Sequence, residues 1–278
     1  MSGRIAGSLL VIGGNEEKEG ACRILSAFVE LAGAGSARIV ILTTATELPE
    51  EVGGQYRAIF ERLGAKSVRV LHAETREEAS SKELSSAIGS ASGIFLTGGD
   101  QLRLTSILGG SEADRSILRA FHSGTIVAGT SAGASAMAST MIVSGDSADT
   151  ATRSTVNMAQ GMSLVEDVVI DQHFAQRGRM NRLLSSVAQN PHLLGIGIDE
   201  DTAILVSPSG RCEVIGSQSV TILDGRQIRQ TNVSDSRSRE PLAITNLVMH
   251  VLPEGFGYDL VHHTPYRTDK QEATVCES

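Results

Sequence analysis

Short apolar runs alternating with amphipathic helical segments constrain this chain more than any other feature. Leu9–Ile12 and residues 39–42, 68–71, 94–96 and 125–128 are brief, β-branched and bounded by glycine or polar residues. That is the pattern of strands buried on both faces. Between them, Tyr56, Ile59, Phe60 and Leu63 fall at i, i+3, i+4 and i+7, one apolar stripe on a helix that Gly64 can end. Strand–helix alternation of this kind predicts an α/β fold with a largely parallel sheet flanked by helices.

Beyond about residue 164 the pattern changes. Residues 165–170 read as a strand, and Met180, Leu183, Leu184 and Val187 form a second helical stripe. After Leu194–Ile198 come short runs at Thr202–Val206 and residues 212–215, 220–223 and 246–252, separated by turn signals such as Asp224-Gly225. They are expected as antiparallel strands added to the edge of the same sheet. No Pro- or Ser-rich linker divides the 278 residues, so one domain is expected, with a loosely ordered tail from about His263.

The bulk properties exclude several classes. A net charge of −8 argues against nucleic acid or an anionic membrane as partner. Aromatics are 3% of residues and Trp is absent, which leaves no stacking platform for single strands or sugars. Cys22, Cys212 and Cys276 show no CxxC spacing, so a zinc site or disulfide framework is not expected, and a reducing compartment is. The first twelve residues run into a core strand without a charged n-region and apolar h-region, and no stretch is long enough to span a bilayer. A cytoplasmic location is expected.

The most informative segment is Gly129-Thr-Ser-Ala-Gly133, which follows an apolar strand and opens a small-residue helix. This is the context of a nucleophile elbow: the glycines permit a sharp turn that projects Ser131 at the carboxyl end of a strand. The helix start aims backbone amides at the same spot, so Ala132 N–H is a candidate oxyanion donor. Of seven histidines, His173 stands directly after an apolar run and beside Asp171 and Gln172, where ligand crevices of open sheets form. It is the candidate base. The orienting carboxylate falls among Asp199, Glu200 and Asp201, and spacing does not choose between them. Ser–His–acid order differs from the Ser–acid–His order of α/β-hydrolases.

Leu96-Thr-Gly-Gly-Asp-Gln-Leu102 is a second glycine site, with Asp100 suited to an N-cap and the Gly98 and Gly99 amides as further oxyanion donors. Gly13-Gly14-Asn15 lacks a dinucleotide fingerprint and reads as a structural turn. Arg177, Arg179 and Arg182 form a basic cluster after His173. Arg177 is expected in a loop, with Arg179 and Arg182 sharing a helix face. The cluster is either a solvated face or a bidentate clamp for carboxylates.

In order and spacing these segments, together with Arg177-Gly-Arg-Met-Asn-Arg182 and Gly195-Ile-Gly-Ile-Asp-Glu-Asp-Thr202, closely resemble the cyanophycinases, serine exopeptidases of the aspartyl-dipeptidase clan. The resemblance runs from about Leu9 to Leu252 and excludes residues 148–155 and the C-terminal tail. It implies a flavodoxin-like sheet, a homodimer, and a triad of Ser131, His173 and Glu200. Oxyanion donors at Gly99 and Ala132 fit that triad, as do substrate contacts from Gln101, Asp171, Gln172, Arg177, Arg179 and Arg182. The implied substrate is cyanophycin, a poly-aspartate backbone with arginine on each β-carboxyl, released as β-aspartyl-arginine without metal or organic cofactor. Each unit carries a carboxylate and a guanidinium, so arginines would suit the first and Asp171 the second. The rival expectations are a dipeptidase for α-aspartyl peptides and a catalytically silent binding protein on the same fold.

Overall fold

The structure, a computed structural model, describes residues 6–145, 150–237 and 239–268. Cys276 and the last ten residues of the tail lie outside them. The first half of the chain builds five parallel strands: β1 (Leu9–Ile12), β2 (Arg38–Leu42), β3 (Ser67–Leu71), β4 (Gly93–Leu96) and β5 (Ile126–Thr130). Helices α1 (Arg23–Leu31), α2 (Pro49–Arg62), α3 (Lys82–Ser90), α4 (Gln101–Leu108) and α5 (Glu112–His122) connect them, and α6 (Ala132–Ala136) follows β5. The alternation sorts the side chains of β1. Leu9 and Val11 join one core cluster, while Leu10 and Ile12 join another with Phe28, Phe60 and Phe95 on the opposite face. The second cluster is aromatic, with Tyr56 and Phe60 of α2 centred 4.6 and 5.2 Å from the Phe95 ring. Helix α2 starts with Pro49, Glu50 and Glu51 and ends at Gly64 with φ +91°. There the Ala65 and Gly64 amides close onto the carbonyls of Phe60 and Glu61, at 3.0 Å each.

The second half contains β6 (Thr140–Gly145), β7 (Val156–Gln160), β8 (Val168–Gln172), α7 (Met180–Gln189), β9 (Leu194–Ile198) and β10 (Thr202–Val206). Strands β11 (Arg211–Gly216), β12 (Ser219–Asp224), β13 (Val248–Pro253), β14 (Phe256–Asp259) and β15 (Thr264–Arg267) complete it. These strands do not all join the first sheet, which corrects the expectation of one extended edge. The main sheet runs β15-β14-β11-β10-β1-β5-β4-β2-β3, and a separate four-stranded sheet runs β13-β12-β9-β8. Three tight turns pass the chain between the sheets, one of them Glu254-Gly255 from β13 to β14. Residues 199–201 lead from β9 to β10, and Ser217-Gln218 lead from β11 to β12 after Gly216 at φ +127°. One core cluster spans both sheets, with Val11 and Ile204 from the first and Ile170, Ile196 and Ile222 from the second.

Two boundaries also move. Strand β8 begins at Val168 rather than residue 165, because Asp167 adopts φ +57° and interrupts the extended run. The segment from His263 contains β15, which pairs Thr264–Arg267 with β14, so this part of the tail is ordered by sheet hydrogen bonds. Among the described residues no helix is long and apolar enough to cross a membrane.

Candidate active site

The two sheets meet at the carboxyl ends of β1, β5 and β8, and the polar residues of the sequence motifs converge there. Ser131 follows the last residue of β5 with φ +52° and ψ −111°, a conformation that costs about 1–3 kcal/mol for a residue with a side chain. Both glycines of the elbow are needed by close approach. A Cβ on Gly129 would lie 2.6 Å from Gly133 C, and one on Gly133 would lie 2.4 Å from Leu96 O. The strained residue is held at both ends: its amide donates to Ile12 O at 3.0 Å, and its carbonyl accepts from Ser135 N–H at 3.1 Å.

His173 reaches the serine from the smaller sheet. It too has positive φ, +47°, one residue after β8. Its amide donates to Gly13 O at 2.8 Å, and the ring lies on Gly14, where a Cβ would come within 2.4 Å of Cε1. Ser131 Oγ is 2.9 Å from His173 Nε2, and His173 Nδ1 is 2.7 Å from Glu200 Oε1. The turn between β9 and β10 thus divides its three acids. Asp199 accepts from Ala175 N–H at 3.0 Å and the Ser219 hydroxyl at 2.9 Å, and Asp201 accepts from Glu17 N–H at 2.8 Å. The Glu200 carboxylate faces the imidazole.

Electrostatics favour a neutral imidazole beside an ionised carboxylate. Burial lowers the His173 pKa, and the charges of Arg177 and Arg179 lower it further, against the opposing effect of the hydrogen bond it donates to Glu200. The hydrogen bonds from His173 and Asn15 lower the Glu200 pKa. Such a pair can accept a proton from a hydroxyl at neutral pH and stabilise the resulting imidazolium.

The second glycine site flanks the serine. A Cβ on Gly98 would lie 3.3 Å from Ser131 Cβ, and Gly99 at φ +141° approaches Ala45 O too closely for any side chain. Asp100 caps α4 by accepting from Leu102 N–H at 2.7 Å and Arg103 N–H at 3.1 Å. The Gln101 amide donates to Ile142 O at 2.8 Å and Val143 O at 3.0 Å, which ties this loop to β6. Ala132 opens α6 with its side chain buried.

The arginine cluster departs from the expected arrangement. Arg179 precedes α7 rather than sharing a helix face with Arg182, and both are buried, at 8% and 6% exposure. A solvated face is therefore excluded for these two. Arg182 forks onto both oxygens of Asp171, and Arg179 reaches Asp171 Oδ1 at 3.4 Å. Asp171 has no exposed surface, and its oxygens are taken by these guanidinium groups, so it does not offer a free carboxylate to an incoming cation. Arg179 also donates to the Gln172 carbonyl and, at 2.9 Å, to Gln172 Oε1, which lies 3.4 Å from Ser131 Oγ. Burial pushes the Arg179 pKa down to about 10, which leaves it charged at neutral pH. Arg177 is exposed.

Two site residues escaped the sequence reading. Asn15 donates to Glu200 Oε2 at 2.9 Å, so the Gly13-Gly14-Asn15 turn is part of the site and not merely structural. Gln176 Oε1 accepts from Glu200 N–H at 3.0 Å. The signal for Asn15 was present: a polar side chain at the carboxyl end of a parallel strand, where crevices open. Gln176 carried none.

Family and relatives together define a peptidase. The signature of Peptidase family S51 matches residues 9–213, and the chain belongs to that family. Among curated relatives it is 42% identical over 258 residues to a protein named cyanophycinase from Nostoc sp., covering 92% of this chain and 87% of that one. It is 39% identical over 259 residues to a cyanophycinase from Geminocystis herdmanii, covering 93% and 95%. A solved peptidase from an acI-B1 Actinobacterium has the same fold, with a TM-score of 0.67 at 24% identity over 92% of this chain and 98% of that one.

Proposed function

We propose that this chain is a serine-type exopeptidase that hydrolyses cyanophycin to β-aspartyl-arginine dipeptides. The observation that carries the reading is the continuous hydrogen-bonded line from Ser131 Oγ through His173 to Glu200, at 2.9 and 2.7 Å, in a chain so similar to cyanophycinases. In this mechanism His173 Nε2 takes the Ser131 proton as Oγ attacks an α-peptide carbonyl carbon. The Ala132 and Gly99 amides donate to the oxyanion, and Glu200 accepts from Nδ1–H of the imidazolium. Collapse breaks the C–N bond, and the His173 proton goes to the leaving amine. Water, deprotonated by His173, then adds to the acyl-enzyme, and Ser131 leaves with the proton returned. No step calls for a metal or organic cofactor.

Arg177, exposed beside His173, takes the role of holding a substrate carboxylate, with Gln101 and Gln172 as polar contacts. Asp171, Arg179 and Arg182 act one layer behind by fixing Gln172. A homodimer and a cytoplasmic location complete the reading. Incubation with cyanophycin granules and mass spectrometry of the soluble products tests it: β-aspartyl-arginine is expected, and is lost in Ser131→Ala. Turnover of α-aspartyl dipeptides with none of the polymer would replace the substrate assignment by the dipeptidase alternative.

A further inference from the structure

A buried carboxyl group outside the triad sits behind the nucleophile. Glu16 lies on the loop after β1 with a fully buried side chain. Its Oε2 accepts from the Thr130 hydroxyl at 2.7 Å, and its Oε1 accepts from the Tyr56 hydroxyl with Lys18 Nζ at 3.4 Å. Thr130 is the last residue of β5 and immediately precedes Ser131. The same loop holds the rest of the site through Gly13 O on His173 N–H, Asn15 on Glu200, and Glu17 N–H on Asp201.

We infer that Glu16 is a positioning residue for the nucleophile: through Thr130 it fixes the end of β5 so that Ser131 is presented to His173. The inference rests on the reading of Ser131 as nucleophile. Backbone pairing holds Ser131 itself, by its amide on Ile12 O and its carbonyl on Ser135 N–H, and the strained φ and ψ of that residue need a rigid neighbour as well. A side-chain hold on the preceding residue, among buried groups, supplies that rigidity. Tyr56 gives an internal control. Its hydroxyl binds the same carboxyl group and also neighbours the Thr130 hydroxyl, but its backbone belongs to α2 and not to the elbow.

The test compares three variants on cyanophycin, by kcat, KM and the rate of Ser131 labelling with a fluorophosphonate. Thr130→Val should lower kcat and labelling together by about 10- to 100-fold with KM little changed. Thr130→Ser, which keeps the hydroxyl, should restore both to within about threefold. Tyr56→Phe should lower the melting temperature comparably to Thr130→Val yet keep kcat within about threefold. Equal rates in Thr130→Val and Tyr56→Phe would overturn the positioning role. If Thr130→Val does not fold, Glu16→Met, which keeps the side-chain length and removes both acceptor oxygens, must show the same fall in kcat and labelling, and a wild-type rate there overturns the inference. Activity in Ser131→Ala overturns instead the nucleophile reading. A dead Ser131→Ala with a fully active Thr130→Val leaves that reading standing and removes only the role of Glu16.

Discussion

The main sheet and the four-stranded sheet solve different problems. The parallel half is bound by apolar packing: β1, β4 and β5 are buried along their whole lengths, and the Phe28, Phe60 and Phe95 rings interlock beneath them. It presents Ser131 on a glycine-lined elbow. The smaller sheet buries charge instead, with Asp171 at the end of β8 between Arg179 and Arg182. It contributes His173, and Glu200 stands on the turn that leaves it for the main sheet. The difference teaches that the line from Ser131 through His173 to Glu200 is an interface property. Neither sheet contains a complete set, and the Gly13–Glu17 loop joins the two.

The largest effect expected is in Ser131→Ala, a loss of about 10⁴-fold or more in kcat with an unchanged melting curve. Comparable activity would mean that the elbow presents nothing to the smaller sheet. Next, Asp171→Asn leaves two buried guanidinium groups uncompensated and should destabilise by about 3–5 kcal/mol in urea titration. A change within experimental scatter would show that ionic burial does not hold the smaller sheet. Gly14→Ala places a Cβ against the His173 ring at φ +99° and should cut kcat about 100-fold while the main sheet stays folded. Near-normal turnover there would show that the imidazole is placed by β8 alone.

The smallest effect concerns pH. The proposed mechanism requires neutral His173, whose pKa lies below the ordinary imidazole value, so the acid limb of kcat/KM should fall below about 6.5. Arg177→Ala removes one cause of that lowering, and the limb should move to higher pH. A limb that stays put would show that burial and Arg179 suffice. The same depression opposes folding in acid: as pH falls below the unfolded imidazole value, the unfolded chain takes a proton that folded His173 refuses.

Much of this was legible locally. Hydrophobic periodicity located β1, β2, β3 and β4 within a residue or so, because the period of a buried strand or helix is written in adjacent side chains. The elbow was legible because Gly129 and Gly133 stand two residues to either side of Ser131. The sheet to which β12 and β13 belong was not legible, since two-residue turns can continue one sheet or cross to another with the same composition. Nor was the fate of the arginines: Arg179 and Arg182 carry the same charge whether they face solvent or Asp171.

By itself the sequence determined the element order, the alternating faces of the core and the candidate identities of nucleophile and base. These depend on spacings of a few residues. Spacing left three adjacent acids open and only the family resemblance singled out Glu200; the tertiary structure turns that carboxylate onto His173, and it alone decided that Asn15 holds it across 185 positions of chain. The reason is physical: a hydrogen bond is made by a direction and a distance of about 3 Å, and neither exists until both sheets have closed on one another.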